Sequence, residues 1–190
     1  MKDIIKTILV LSIIALIAGG MLGIVSHFTQ IDENAALAAK IEKTGIYTGT
    51  TPLERLSVGG DGFSQSYTKG FLKNVFLGDN QYIIHCSGEE AYGGSIELLV
   101  KIQDKKITKI AVYYSEETPG VGTKAFADAY LSQFYNKDLT DIQKYIISKK
   151  SLEDKEIVAI SGATKSSKGV LNAVNVAVDW YLSHVAEVAE

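Results

Sequence analysis

A run of apolar residues near the N-terminus sets the first limit on how this chain can fold. From Thr7 to Ser26 almost every side chain is apolar, and about 20 residues in a helix span the hydrocarbon core of a bilayer. Lys2 and Lys6 precede this run, whereas Asp32 and Glu33 follow it. Because positive charge stays on the cytoplasmic side, the pattern predicts a cytoplasmic N-terminus and places the rest of the chain outside the cytoplasm.

A secretory signal peptide is the alternative interpretation of the same run. Its apolar region would normally be shorter, and no small-residue cleavage site directly follows Val25. We therefore predict an uncleaved single-pass anchor over residues 1–30. Residues 31–190 are long enough for one compact domain with its own core.

Composition and motif content exclude several classes of function. The formal net charge is -3, and no stripe of Lys and Arg is interleaved with aromatic residues, so a nucleic-acid partner has no electrostatic support. Cys86 is the only cysteine, which excludes an intrachain disulfide and multi-cysteine metal sites, and its apolar neighbours predict a buried thiol. His27, His85 and His184 lack a metal-ligand spacing, so we predict no metal site. No motif of a hydrolase, nucleotide hydrolase or NAD-binding protein occurs.

The apolar periodicity predicts an α+β domain in which a twisted antiparallel sheet is packed by helices. A short helix is expected over 31–45, ended by Gly45, whereas the turn-rich stretch 48–62 has no clear pattern. The predicted strands are Tyr82–Cys86, Ile96–Ile102 and Ile107–Tyr114, the last two forming a hairpin, with a further strand over Ile157–Ile160. The predicted helices after the hairpin are Lys124–Tyr135 and Leu139–Ile147.

The last predicted helix is amphipathic. Its apolar stripe predicts burial of Val170, Val174, Val178, Tyr181 and Val185. Trp180 and the acidic residues Glu187 and Glu190 fall outside that stripe.

The turn before this helix, Ser161-Gly162-Ala163-Thr164-Lys165-Ser166-Ser167, combines hydroxyls, a flexible glycine and a helix N-terminus. Unpaired N–H groups and the helix dipole favour an anion there, so the pattern is typical of a phosphate seat. A simple helix cap is the alternative interpretation.

Two other glycine-rich segments, Glu116–Lys124 and Tyr92–Ile96, flank the hairpin. Each is by itself also compatible with an ordinary turn. Tyr92 could face a ligand or fill the core beside the hairpin.

The three segments together resemble the FMN-binding domains of the Rnf G subunit and the Nqr C subunit. Ser-Gly-Ala-Thr resembles the flavinylation motif, Glu-Thr-Pro-Gly-x-Gly a second signature, and Tyr-Gly-Gly-x-Ile the segment that opens the hairpin, with Ala91 in place of a glycine. The resemblance implies that FMN is covalently attached through a phosphoester to Thr164. The other residues that it places around FMN are Ser161, Gly162, Ala163, Ser166, Ser167, Tyr92, Glu117, Thr118, Gly120 and Val121.

The resemblance also implies a function. The chain is expected to be an electron-relay subunit of an Rnf complex in a bacterial or archaeal cell membrane, an ion-translocating oxidoreductase that couples ferredoxin and NAD to Na⁺ or H⁺ movement. Its partners would be the other subunits, with no catalytic side chain and no ferredoxin or NAD site on this chain. The alternatives are an Nqr C subunit, which serves NADH and quinone, and a membrane-anchored binding or assembly module without redox function.

One position departs from the family pattern. Val158 stands three places before Ser161, where the family usually has an acidic residue, and Glu156 is the nearest acid upstream. FMN held without a covalent bond is therefore kept as an alternative.

Overall fold

The computed structural model describes residues 2–28, 33–56, 65–67, 69–148, 150 and 153–186. The chain divides into two units, Met1–Leu37 and Ala38–Glu190. The first unit contains helix α1, Lys2–Phe28. Its window Ile4–Met21 is long and apolar enough to cross a membrane, and no other helix in the described ranges meets that criterion. The predicted apolar helix is therefore confirmed.

An antiparallel sheet forms the centre of the second unit, as the sequence predicts. Its strand order is β1-β3-β4-β5-β6, and β2 also pairs with β3. The strands are β1 (Glu54–Leu56), β2 (Gln65–Tyr67), β3 (Gly70–Gly78), β4 (Gln81–Ala91), β5 (Gly94–Gln103) and β6 (Lys106–Ser115). The three predicted strands correspond to β4, β5 and β6, whereas β1, β2 and β3 were not predicted.

Two tight turns fix the register of the long strands. Asp79 and Asn80 connect β3 to β4, and Asp104 and Lys105 connect β5 to β6. All four residues have a positive φ, between 46° and 59°, which is the pattern of type I′ turns, whose twist matches that of the strands. The predicted polar turn of the hairpin is confirmed.

The helices before and after the sheet differ from the predictions in length. Helix α2 spans Glu33–Lys43, and the N–H groups of Thr44 and Gly45 bond to its last carbonyls, so the predicted end is confirmed. The single helix predicted over Lys124–Tyr135 is wrong, because the extended backbone of Ala127 interrupts it. The elements there are the 3₁₀ turn Gly122–Phe126, helix α3 (Asp128–Leu131) and the 3₁₀ turn Ser132–Phe134.

The helix predicted over Leu139–Ile147 is also wrong. Helix α4 spans only Leu139–Ile142. The next residue, Gln143, has a positive φ of 56°, which is incompatible with continuing the helix. The chain then forms β7, Ile146–Ser148, which pairs in parallel with β8, Glu156–Val158. The predicted strand over Ile157–Ile160 is thus shorter than expected.

Helix α5, Thr164–Tyr181, packs along the sheet and continues into a π-helical turn, Leu182–Ala186. Val170, Val174, Val178 and Tyr181 are buried as predicted, and Val185 is half-buried. The prediction that Trp180 lies outside the buried stripe is wrong, because this side chain is only 4% exposed. Its ring lies 6.2 Å from that of Tyr82 and stacks on His184 at 5.1 Å, so the buried sector is wider than one stripe. Glu187 and Glu190 lie outside the described residues.

The sheet and α5 approach unusually closely where β4 carries glycine. A Cβ atom on Gly88 would overlap the carbonyl oxygen of Gly169 in α5. Two residues earlier in β4, the Cys86 thiol lies 3.1 Å from the carbonyl oxygen of Ala173. Burial raises the pKa of the Cys86 thiol, in agreement with the predicted buried thiol. The contacts of Gly88 and Cys86 with α5 therefore set the distance between this helix and β4.

A charged cluster lies on the opposite face of the sheet. Neutral His85 is buried, its Nε2–H donates to Glu97 at 3.0 Å, and its Nδ1 lies 3.3 Å from the amide nitrogen of Asn74. Lys73 bonds to the other carboxylate oxygen of Glu97. Burial lowers the pKa of His85, although Glu97 opposes that shift. Burial acts to raise the pKa of Glu97, but the bonds from Lys73 and His85 outweigh it, so the pKa is lowered. Lys73 therefore supplies the positive charge that faces Glu97 at neutral pH.

Acidification should destabilise the domain through this cluster. The unfolded chain protonates His85 near pH 6.5, before the folded chain does, so the free energy of unfolding should fall as the pH drops below about 6.5. Glu97 adds a further loss below about pH 4.5. Denaturant unfolding at stepped pH would measure this slope. His85→Gln should flatten this slope between pH 7 and 5, and an unchanged slope in His85→Gln would contradict the prediction.

Candidate functional site

The three glycine-rich segments meet at one cavity of about 620 Å³. This volume is within the usual range of small-molecule sites, about 300 to 1,000 Å³. The predicted site residues that line the cavity are Tyr92, Glu117, Thr118, Val121, Gly162, Ala163, Thr164 and Ser166. Ser161, Gly120 and Ser167 are not among the lining residues. Gly122 and Lys165 also line the cavity but were not among the predicted site residues. Gly122 is the last glycine of the Glu-Thr-Pro-Gly-x-Gly signature, so that signature could have predicted it.

The hydroxyl groups of the Ser161–Ser167 turn have different environments. Thr164 is the first residue of α5, is exposed, lines the cavity, and has no side-chain hydrogen bond in the described part of the chain. The Ser166 hydroxyl donates to Glu117 at 2.6 Å. Ser161 is exposed but lies outside the cavity lining. Thr164 therefore offers the one unbonded hydroxyl of this turn on the cavity wall.

Ser167 holds the turn together from inside. Its side chain is fully buried, its hydroxyl donates to the Ala163 carbonyl at 2.9 Å, and the same oxygen accepts the Ile160 N–H at 3.1 Å. The Tyr130 hydroxyl donates to the Ser167 carbonyl at 2.7 Å. Ser167 thus shapes the loop that presents Thr164.

Removing the Ser167 hydroxyl should loosen this loop. Ser167→Ala leaves the N–H of half-buried Ile160 without its partner, and the loss of the acceptor of a buried donor costs about 1–3 kcal/mol. Denaturant unfolding should show a loss of about 2 kcal/mol in the free energy of unfolding. Ser161→Ala, at an exposed serine of the same turn, should change it by less than about 0.5 kcal/mol.

No side chain in the described part of the chain caps the N-terminus of α5. Ala163 occupies the cap position, no acidic residue lies in the first turn, and the helix is 18 residues long. The first backbone bond of the helix runs from the Ser167 N–H to the Ala163 carbonyl at 2.9 Å. The amides of Thr164, Lys165 and Ser166 therefore remain for an anion beside the cavity.

The loop after β6 forms the opposite wall. The Thr118 carbonyl accepts the N–H groups of Val121 and Gly122, and the Thr123 hydroxyl accepts that of Gly120. Gly120 and, across the cavity, Gly162 have φ angles of 75° and 79°, which non-glycine side chains rarely adopt. Val121 remains 49% exposed on the cavity wall.

Two further residues complete the walls. Tyr92 is 72% exposed, so it does not fill the core, and the Lys165 ammonium lies 6.0 Å from its ring centroid. The Glu117 side chain is buried and bonds to both Gly93 and Ser166. The cavity thus has an aromatic and apolar side, formed by Tyr92 and Val121, and an anion-attracting end at α5.

Val158, which departs from the family pattern, is held through its backbone. The Gln133 side chain accepts the Val158 N–H at 2.9 Å and donates to the Val158 carbonyl at 3.2 Å. The Glu156 carboxylate accepts the Glu153 N–H at 3.1 Å. Neither residue lines the cavity, so Val158 affects the loop before the turn and not the cavity wall.

These residues fit FMN. A phosphate monoester suits the uncapped amides at α5, and a planar ring system suits a wall formed by Tyr92 and Val121. The described residues contain no group of three or more His, Cys, Asp or Glu side chains that could hold a metal.

Comparison with known proteins supports the sequence resemblance. Residues 91–179 match the model of the FMN-binding domain, which confirms the predicted resemblance. The G subunit of the proton-translocating ferredoxin:NAD(+) oxidoreductase complex of Clostridium ljungdahlii is 37% identical over 91 residues, which are 47% of this chain and 48% of that protein. The G subunit of the Na(+)-translocating ferredoxin:NAD(+) oxidoreductase complex of Acetobacterium woodii is 30% identical over 116 residues, 58% of this chain and 56% of that protein.

The matched region thus spans about half the length of these curated relatives. Among solved structures, the crystal structure of Shewanella oneidensis NqrC aligns with a TM-score of 0.45 and 20% identity. That alignment covers 63% of this chain and 65% of the other.

Proposed function

Because residues 91–179 match the FMN-binding domain, we propose that this chain carries FMN and transfers electrons as the G subunit of an Rnf-type ferredoxin:NAD⁺ oxidoreductase complex. One observation carries the proposal. On the wall of a cavity that Tyr92 and Glu117 also line, Thr164 presents a hydroxyl at the N-terminus of α5, and no described side chain bonds to that hydroxyl or caps that helix end.

The covalent link that we propose is a phosphoester to the Thr164 hydroxyl oxygen. The hydroxyl would displace AMP from an FAD donor and lose its proton, which leaves FMN esterified and the phosphate with one negative charge. The backbone N–H groups of Thr164, Lys165 and Ser166 would donate hydrogen bonds to that phosphate. FMN, when bound, supplies the acceptance and release of electrons, so the side chains of this chain hold and orient it.

The placement in the membrane is part of the same proposal. The span Ile4–Met21 would anchor the chain, with Lys2 and Lys6 on the cytoplasmic side and the domain outside. The partners would be the other subunits of the complex. The names of both curated relatives favour an Rnf-type complex over an Nqr-type complex.

The full chain, coexpressed with a flavin transferase in a bacterial host, tests the proposal. We expect a fluorescent band after denaturing electrophoresis, a mass increase of one FMN ester, and reversible bleaching of the flavin absorbance by dithionite and air. A chain that stays colourless while the same transferase modifies a control flavoprotein would contradict covalent attachment. Absence of any flavin after gentle purification would favour the module without redox function.

A further inference from the structure

The Glu117 carboxylate bridges two segments that are distant in sequence. One oxygen accepts the Gly93 N–H at 3.0 Å, in the turn between β4 and β5. The other accepts the Ser166 hydroxyl at 2.6 Å, in the first turn of α5. Glu117 itself lies in the loop after β6, so three walls of the cavity meet at one side chain.

The surroundings of Glu117 leave it little freedom. It is 6% exposed and Ser166 is 2% exposed. A Cβ atom on Gly122 would overlap a Glu117 carboxylate oxygen, so the loop closes directly over the carboxylate. Among the described residues no Lys, Arg or His forms an ion pair with Glu117. Burial of a carboxyl group without a counter-ion is unfavourable unless hydrogen bonds compensate it, so these two bonds decide whether the arrangement is stable.

We propose that Glu117 is a positioning residue of the flavin site, whose buried carboxylate holds the β4–β5 turn against the first turn of α5 and so sets the width of the cavity. Tyr92 directly precedes Gly93, and Thr164 lies two residues before Ser166. The bridge therefore sets the distance between the aromatic wall and the hydroxyl that accepts FMN. This inference rests on the proposed function for its consequence, but the bridge exists without the flavin.

The first test measures the bridge in the unmodified full chain, without flavin transferase. Hydrogen exchange of the Gly93 amide should be about tenfold faster in Glu117→Ala, because the amide loses its acceptor. Glu117→Gln should keep native exchange, since the glutamine carbonyl can accept from Gly93 while its amide donates to Ser166. Glu116→Gln is the matched control, because Glu116 is exposed and its carboxylate accepts, among the described residues, only the Tyr114 hydroxyl. Native exchange in Glu117→Ala would overturn the inference.

The second test measures the site with flavin attached. Glu117→Ala should retain the covalent flavin, because Thr164 is intact, but should lose the visible circular dichroism of an ordered flavin ring. Glu117→Gln should retain both. A native dichroism spectrum in Glu117→Ala, or its loss in both variants, would overturn the bridging role.

If Glu117→Ala does not fold, Ser166→Ala replaces it, because it removes one of the two bonds to Glu117. It should reduce the visible circular dichroism of the flavin, and an unchanged dichroism would overturn the inference. If the chain without substitutions acquires no flavin, that result would contradict the proposed function alone, since the exchange of the Gly93 amide is measured without flavin.

Discussion

Thr164→Ala is expected to remove all covalently bound flavin from this chain. The substitution deletes the one exposed, unbonded hydroxyl of the turn that lines the cavity. The neighbouring hydroxyls cannot replace it, because those of Ser166 and Ser167 are buried and already bonded. In-gel fluorescence and intact mass after coexpression with a flavin transferase would measure the loss.

Two control variants separate the acceptor from the turn that presents it. Thr164→Ser keeps a hydroxyl in the same place and should retain flavin, although more slowly if the methyl group helps to fix the rotamer. Ser161→Ala should retain flavin fully, because Ser161 does not line the cavity. A flavin that persists in Thr164→Ala and disappears in Ser161→Ala would move the acceptor to the other end of the motif.

Gly88→Ala is expected to cause a large loss of stability although it adds only one methyl group. The added Cβ would overlap both the Gly169 carbonyl oxygen and the Ala173 backbone nitrogen, and a backbone cannot rotate away as a side chain can. Overpacking of this kind costs about 3 kcal/mol. Denaturant unfolding of the full chain in detergent would measure the loss.

Gly169→Ala provides a comparison on α5, the helix that Gly88 contacts. Its added methyl group would meet the Ala91 side chain at 2.6 Å, and alanine improves helix propensity by about 0.8 to 1 kcal/mol. The loss should therefore be smaller, and the double variant Gly169→Ala with Ala91→Gly should recover part of it. Ser95→Ala, at an exposed serine, is the control. If Gly88→Ala lowers the free energy of unfolding no more than Ser95→Ala does, α5 moves away from β4 to accommodate the methyl group, and the prediction is contradicted.

The local parts of the fold could be predicted from the sequence, and the parts set by distant contacts could not. The strands of the 82–114 meander have long β-branched runs and a polar turn, so their signal is carried by neighbouring residues. Strand β3 was missed because glycine, lysine and asparagine interrupt its apolar pattern. The helix predicted over Leu139–Ile147 was wrong because the positive φ of Gln143 ends it, and Ile146 and Ile147 then pair with β8, a contact that the apolar spacing of the segment itself does not show.

The site shows the same division. Motif resemblance brought together the turn at Thr164 and the loop at Thr118, and the structure places both on one cavity. It could not distinguish hydroxyls that line the cavity from one that serves the loop internally, as Ser167 does. That distinction depends on the direction of each side chain at the start of α5, which spacing alone does not determine.

The distance in sequence between the two sides of the cavity has a consequence for folding kinetics. Strands β3 to β6 pair with their sequence neighbours across tight turns, and such local contacts form fast. Helix α5 reaches β4 only after the segment between them has closed into a loop, which is entropically slower. We therefore expect the meander to form early and the Thr164 turn to reach its final geometry last. A stopped-flow folding experiment should then show native sheet signal before the Thr164 turn reaches its final geometry.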